Sequence, residues 1–238
     1  MVKVSAGCGE RTGRRPNCLD AFLIDVSEVT REAYARCVAR ARCAAPRIAG
    51  CVEGNEAEYW RQANLPVTCV SLEDAMRYCA FMGKRLPREE EWVRAGRMGS
   101  KRKYPWGDEA PTCERVAGLI RWGKGGTRRP CPAEGIEGAA APMAVADSGS
   151  PPLRLAPVCS RAAGHGPNGI CDLAGNAGEW VDARPPKDSR VPSARLIKGA
   201  SPLGAEEDFL GLDARAWITA PANPTVGFRC AQRWVAPP

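Results

Sequence analysis

The sequence predicts a loop-rich domain of mixed secondary structure with only a few helices, and three observations carry this. Gly 25 and Pro 21 punctuate a chain of 238 residues too densely for a helical bundle. Helical periodicity is clear before Gly96 and fades after it, and the strand-like runs near the C-terminus are short. Hydrophobic residues at 44% and charged residues at 26% are ordinary for a folded chain that buries a core. With no internal repeat and no linker-like stretch, residues 1–238 read as one domain.

Residues 1–27 read as loop and short strand, with Ala21-Phe22-Leu23-Ile24 the apolar piece. A helix is expected from Thr30 to about Ala41. Thr30 suits the N-cap, Glu32 the positive end of the dipole, and Ala33, Tyr34, Cys37, Val38 and Ala41 form one stripe. Residues 42–65 hold Pro, Gly and two cysteines and read as loop. Ser71-Leu72-Glu73-Asp74 has capping-box form, Ala75, Met76, Cys79 and Met82 give the apolar face, and Gly83 stops the helix. A third helix follows Pro87, which suits its first position, with Glu89, Glu90 and Glu91 in its first turn and Trp92 facing inward. Residues 99–170 lack periodicity, and a long irregular stretch of this kind serves function or is disordered. Leu196-Ile197-Lys198-Gly199 and Val226-Gly227-Phe228-Arg229-Cys230 read as strands.

Composition excludes several function classes. No apolar run reaches the roughly twenty residues of a membrane-spanning helix. The net charge of +7 includes Lys101-Arg102-Lys103 and Arg128-Arg129, but no aromatic residues interleave with them, so a solvated basic face is expected rather than a nucleic-acid surface. One histidine, His165, lies between glycines, rules out a multi-histidine metal site and reads as an exposed loop residue. Twelve cysteines with no C-x-x-C spacing favour dispersed disulfides over a zinc ribbon or a thioredoxin-type motif. Cys8–Cys18 is a natural local pair, and Cys37, Cys43 and Cys51 are close enough to share one or two bridges. Paired cysteines place the chain in a periplasmic or secreted setting, although Met1-Val2-Lys3-Val4 leads into no apolar leader segment.

Several motifs follow one another in a recognisable order. Phe22-Leu23-Ile24-Asp25 precedes Glu28-Val29-Thr30, and Gly83-Lys84-Arg85-Leu86-Pro87-Arg88-Glu89-Glu90-Glu91-Trp92 comes next. Tyr104-Pro105-Trp106-Gly107-Asp108, Gly175-Asn176-Ala177-Gly178-Glu179-Trp180, Lys198-Gly199-Ala200-Ser201 and Gly227-Phe228-Arg229-Cys230-Ala231 complete the series. The chain resembles the formylglycine-generating enzyme (sulfatase-modifying factor) family over roughly residues 1–234. The resemblance implies an α+β, C-type-lectin-like fold with little regular secondary structure. It also implies a disulfide between Cys79 and Cys230. In physical terms the segment from Gly83 to Trp92 is helix punctuation, an Arg85–Glu91 ion pair and an aromatic plug, and it marks the fold more than an activity.

Two site expectations follow from the resemblance. The segment from Asp172 to Glu179 resembles a calcium site built from the side chains of Asp172 and Glu179 and the carbonyls of Gly175 and Ala177. Two acids around a tight turn suit a hard, oxygen-loving cation. Cys159 stands where an acid of a second calcium site would be, so that site is not expected. The family's catalysis uses two cysteines that bind copper(I) after the glycine-serine strand and oxidise a substrate cysteine to formylglycine with O₂. Here those positions are Gly204 and Phe209, and no cysteine lies between Cys171 and Cys230. Copper is therefore not expected, nor is the oxidase activity. Ser201, Glu206, Glu207 and Asp208 remain as a candidate ligand groove, with a solvated loop the simplest reading of the three acids. A binding module for a protein, peptide or glycan leads, a formylglycine-generating oxidase or another activity in the same groove follows, and a structural envelope domain comes last.

Overall fold

The computed structural model describes residues 1–9, 17–49, 51, 56–122, 128–130, 155–185, 189–200 and 205–236. Among these residues there are four short helices and several small sheets. The helices are α1 (Arg31–Ala39), α2 (Glu56–Arg61), α3 (Leu72–Phe81) and α4 (Glu89–Arg97). The strands are β1 (Val2–Val4), β2 (Gly7–Gly9), β3 (Asn17–Leu19), β4 (Phe22–Ile24), β5 (Leu119–Trp122) and β6 (Arg128–Pro130). They continue as β7 (Gly178–Trp180), β8 (Arg195–Lys198), β9 (Ala205–Glu206), β10 (Ala216–Ile218), β11 (Val226–Gly227) and β12 (Ala231–Arg233). This is the α+β architecture of low regular content that the sequence implies.

Caps set the helix ends. The Thr30 hydroxyl accepts from the Ala33 N–H at 3.1 Å and starts α1, which buries Tyr34 and Cys37. Ser71 and Asp74 close a reciprocal capping box on α3, and Gly83 follows in the left-handed region at φ +69°. The start of α4 differs from the expectation. Pro87 lies two residues before the helix, because its carbonyl accepts from the Asp182 N–H at 2.9 Å and Arg88 is still extended. A strand-like bridge between Arg88 and Asp182 thus delays the first turn. Helix α2 falls in the region read as loop. It is short, and Tyr59 holds it, its hydroxyl bonded to both the carbonyl and the N–H of Thr68.

One sheet has the order β1-β4-β12 and is antiparallel, with Ile24 opposite both Val2 and Ala231. A second has the order β10-β8-β7-β11, in which β11 runs parallel to β7. A third has the order β6-β5-β9, and β2 pairs with β3. Of the strand expected over 226–230, only Val226–Gly227 is strand, and residues 228–230 cross to the next sheet. After β11 the carbonyls of Phe228 and Cys230 accept from the N–H groups of Val29 and Asp25, and the chain then enters β12. Trp92, Trp180, Phe228 and Tyr34 are fully buried at the centre. Tyr34 stacks on Tyr78 at 5.4 Å and Phe228 meets Tyr78 edge-on at 5.5 Å.

Five disulfides tie the described residues together: Cys8–Cys18, Cys37–Cys43, Cys51–Cys69, Cys79–Cys230 and Cys159–Cys171. Cys113 is also disulfide-bonded, and no described cysteine is free. The local pair and the long bridge agree with expectation. Cys51 leaves the Cys37–Cys43 pair and bonds Cys69. No helix among the described residues is long and apolar enough to cross a membrane.

Candidate functional site

The polar centre of the molecule forms around Arg229, which is fully buried on the crossing between β11 and β12. Its Nε and Nη2 donate to the two oxygens of Glu179 at 2.7 and 2.6 Å. Nη2 also reaches the Cys171 carbonyl at 2.7 Å, and Nη1 reaches those of Val26 and Asp25 at 2.9 and 3.2 Å. Trp92 Nε1 donates to Glu179 Oε2 at 2.9 Å, so α4 is fastened to the same carboxylate. A buried charge is tolerated only when paired and bonded in this way. Burial works against the guanidinium charge, yet Glu179 outweighs it and holds Arg229 above its ordinary value.

Glu28 caps the turn that leads to Glu179. Its oxygens accept from the Ala177 N–H at 3.0 Å and from Asn176 Nδ2 at 3.1 Å. Asn176 also exchanges bonds with the N–H and carbonyl of Ala156. Asp172, in the left-handed region at φ +56°, accepts from the Cys159 N–H at 2.6 Å. Burial, followed by repulsion from Asp172 and Glu179, pushes the Glu28 carboxyl well above the usual range. Burial likewise raises Asp172. The four residues expected to hold calcium thus lie on one buried turn, together with Glu28 and Arg229, which the sequence reading missed. The GFRC segment was the only signal for Arg229, whose carboxylate partner lies 50 residues earlier.

A groove of about 460 Å³ opens elsewhere, lined by Lys103, Tyr104, Asp208, Gly211, Asp213 and Ala214. It contains one of the four residues expected to form a groove. Ser201 and Gly204 lie outside the described residues, and for Glu206 and Glu207 only the backbone is described. The backbone of the three acids is a short strand and a 3-10 turn rather than an irregular loop. Glu206 belongs to β9, pairing with Ile120, and Glu207–Phe209 is a 3-10 turn that presents exposed Asp208 to the groove. Phe209, which the resemblance aligns with the second copper-ligand position, is partly buried and packs against the core cluster of Tyr78 and Phe228. Behind the groove, buried Lys198 donates to the Ala214 carbonyl and lies 3.7 Å from Glu89, which Arg215 clasps at 2.5 and 2.7 Å. Burial lowers the Lys198 ammonium to about 8, with Glu89 opposing the shift. Gly199, at φ +80°, has no room for a side chain, because a Cβ would stand 2.9 Å from the Leu173 carbonyl oxygen.

His165 departs from the exposed loop residue expected. It is partly buried, its Nε2 atom is buried with no hydrogen-bond partner, and it lies beside the Cys159–Cys171 disulfide. The expected ion pair is present, with Arg85 and Glu91 joined at 2.6 and 2.7 Å.

Residues 4–234 match the family described as "Sulfatase-modifying factor enzyme 1-like domain". The chain is 29% identical over 200 residues to "Inactive C-alpha-formylglycine-generating enzyme 2" of Bos taurus, covering 77% of this chain and 59% of that protein. It is 32% identical over 196 residues to "Formylglycine-generating enzyme" of Streptomyces coelicolor, covering 75% and 56%. The chain therefore spans little more than half the length of these curated relatives. Among solved structures, that of CarF superimposes with a TM-score of 0.64 at 20% identity, covering 98% of both chains.

Proposed function

The chain belongs to the sulfatase-modifying factor family, and from that premise we propose that it is a non-catalytic member that works as a binding or interaction module. The supporting observation is the thiol inventory. No cysteine stands between Cys171 and Cys230, and both of these are bound in disulfides, to Cys159 and Cys79. A copper(I) centre needs thiolates, and neither Gly204 nor Phe209 supplies one. The groove lined by Tyr104, Asp208 and Asp213 is then a ligand surface for a protein, peptide or glycan. Loops on a rigid scaffold are where such surfaces are built. The disulfides favour an extracytoplasmic setting.

The buried turn is proposed as a calcium site that stabilises this scaffold. Glu28, Asp172 and Glu179 are three buried carboxylates facing one buried guanidinium, and this surplus of negative charge fits a divalent cation. Arg229 and Trp92 fill three acceptor positions of Glu179 and leave one. Asp172, the carbonyls of Gly175 and Ala177, and that remaining Glu179 position would hold the ion.

The decisive test is an oxidase assay. The protein is incubated with copper, O₂, a thiol reductant and a Cys-x-Pro-x-Arg peptide, and the peptide is weighed. The expected result is unchanged peptide mass. Conversion to formylglycine would overturn the non-catalytic reading and require a copper site other than Gly204 and Phe209.

A further inference from the structure

The loop from Cys159 to Cys171 carries a cluster that neither the groove nor the buried turn uses. The Sγ atoms of Cys159 and Cys171 and a ring nitrogen of His165 all lie within 4.8 Å of one another. The two sulfurs are joined as a disulfide. His165 Nε2 is buried without a partner, which is costly for a ring nitrogen that ordinarily donates or accepts.

The loop is held together by bonds other than the S–S bond. The Cys159 N–H donates to Asp172, and the neighbouring Val158 N–H donates to the Asn64 carbonyl at 3.0 Å. The Cys171 N–H donates to the Val26 carbonyl at 2.8 Å, and its own carbonyl accepts from Arg229. His165 is positioned in the same way. A Cβ at Gly164 would stand 1.8 Å from the Arg115 carbonyl oxygen, so only glycine lets the chain pass there. The His165 N–H then donates to the Ala162 carbonyl at 3.2 Å, and the Gly166 N–H to that of Ile170 at 2.7 Å. Opening the disulfide therefore leaves the backbone of Cys159, His165 and Cys171 held, and rotation about the two Cα–Cβ bonds can part the sulfurs to the separation that a shared metal ion requires.

We propose that the Cys159–Cys171 disulfide is a latent soft-metal site, in which reduction by a dithiol or phosphine yields two thiols that bind one Zn²⁺ together with His165. The reductant supplies two electrons, the S–S bond breaks, and each sulfur takes up a proton from solvent. Zinc binding then releases both thiol protons and leaves two thiolates and one neutral imidazole on the metal. Two sulfurs and one nitrogen suit zinc, with a fourth position for water. The partly exposed side of the cluster at Cys159 and His165 gives the ion access. This site is independent of the groove reading, because it shares no residue with the groove.

The test uses cobalt(II) and zinc(II) as probes. Protein is reduced until mass mapping shows the Cys159–Cys171 bridge open, its fold is checked by circular dichroism, and each metal is titrated. The reduced protein is expected to bind one ion at least about a hundredfold more tightly than the oxidised protein, with a thiolate-to-cobalt absorption band. H165A in the reduced state is expected to weaken binding by about tenfold or more and to change the cobalt spectrum. Equal affinity of oxidised and reduced protein, or an H165A spectrum identical to wild type, would overturn the proposal. If full reduction unfolds the chain, C159S exposes Cys171 and His165 without reductant. A cobalt–thiolate band in C159S that is lost in C159S/H165A supports the site, and a band in C159S that H165A leaves unchanged overturns it.

Discussion

The buried turn around Arg229 and the groove at Asp208 are two polar regions of one molecule built on opposite terms. Around Arg229 the partners come from positions 50, 58 and 203 residues away, and both carboxylate oxygens of Glu179 are engaged. At the groove the side chains come from two short stretches, and Asp208 is exposed. The motifs that mark the family lie mostly in the first region: Glu28, the tryptophan of the GKRLP segment, the GNAGEW turn and GFRC all meet there. The resemblance aligns Phe209 with a copper-ligand position of the family, and its neighbour Asp208 lines the groove. A motif match thus reports how the scaffold is closed, and activity has to be read from the residues of the groove itself.

The contrast breaks most readily at its strongest point. R229M removes the partner of a fully buried carboxylate and is expected to cost about 3–5 kcal/mol of unfolding free energy in urea denaturation. A cost below about 1 kcal/mol would mean that the centre is held by packing alone.

A middle-sized effect concerns protons and calcium at the same turn. Glu28 and Asp172 have raised folded values, so their stabilising contribution is complete below their unfolded values of 4.5 and 3.8. It is lost as pH rises through the folded values. With a chelator present, stability should therefore fall as pH rises above the two unfolded values. Calcium binds the ionised carboxylates and should flatten that slope. Thermal melts with chelator and with calcium that show the same slope would remove calcium from Asp172. E28Q brings an amide donor against Asn176 Nδ2 and is expected to cost about 1–3 kcal/mol by the same melts.

The smallest effect belongs to the groove. D208N changes one exposed carboxylate and should leave unfolding free energy within about 0.5 kcal/mol of the parent chain. A larger loss would show that the groove is part of the scaffold and erase the contrast.

How much of this was legible in the sequence depends on the distance over which a signal acts. Thr30, Ser71 with Asp74, and Gly83 specify helix ends through bonds spanning three or four residues, and those ends were read from the chain. Helix α2 was not, because Tyr59 is fixed by Thr68, a partner outside its own segment. The first turn of α4 was placed too early because Pro87 answers to Asp182, almost a hundred residues on. The turn from Asp172 to Glu179 was legible as a candidate site by its acids. Its Arg229 partner and the Glu28 cap arrive from the two ends of the chain, and no local pattern announces them. His165 was misread because two flanking glycines suggest a free loop, whereas Gly164 is required by the close approach of Arg115.

The sheet β1-β4-β12 and the Cys79–Cys230 bridge impose an order on biosynthesis. Cys79 leaves the ribosome 151 residues before its partner, a wait of about ten seconds or more at ordinary rates of synthesis. Six cysteines precede Cys79 and four more emerge before Cys230, so that each of them is available to Cys79 for wrong pairing. Oxidation that keeps pace with translation traps Cys79 early, and recovery then depends on thiol–disulfide exchange over seconds to hours. The closing strand thus completes the molecule last: a chain cut short before Cys230 leaves Cys79 without its partner and β4 without one neighbour.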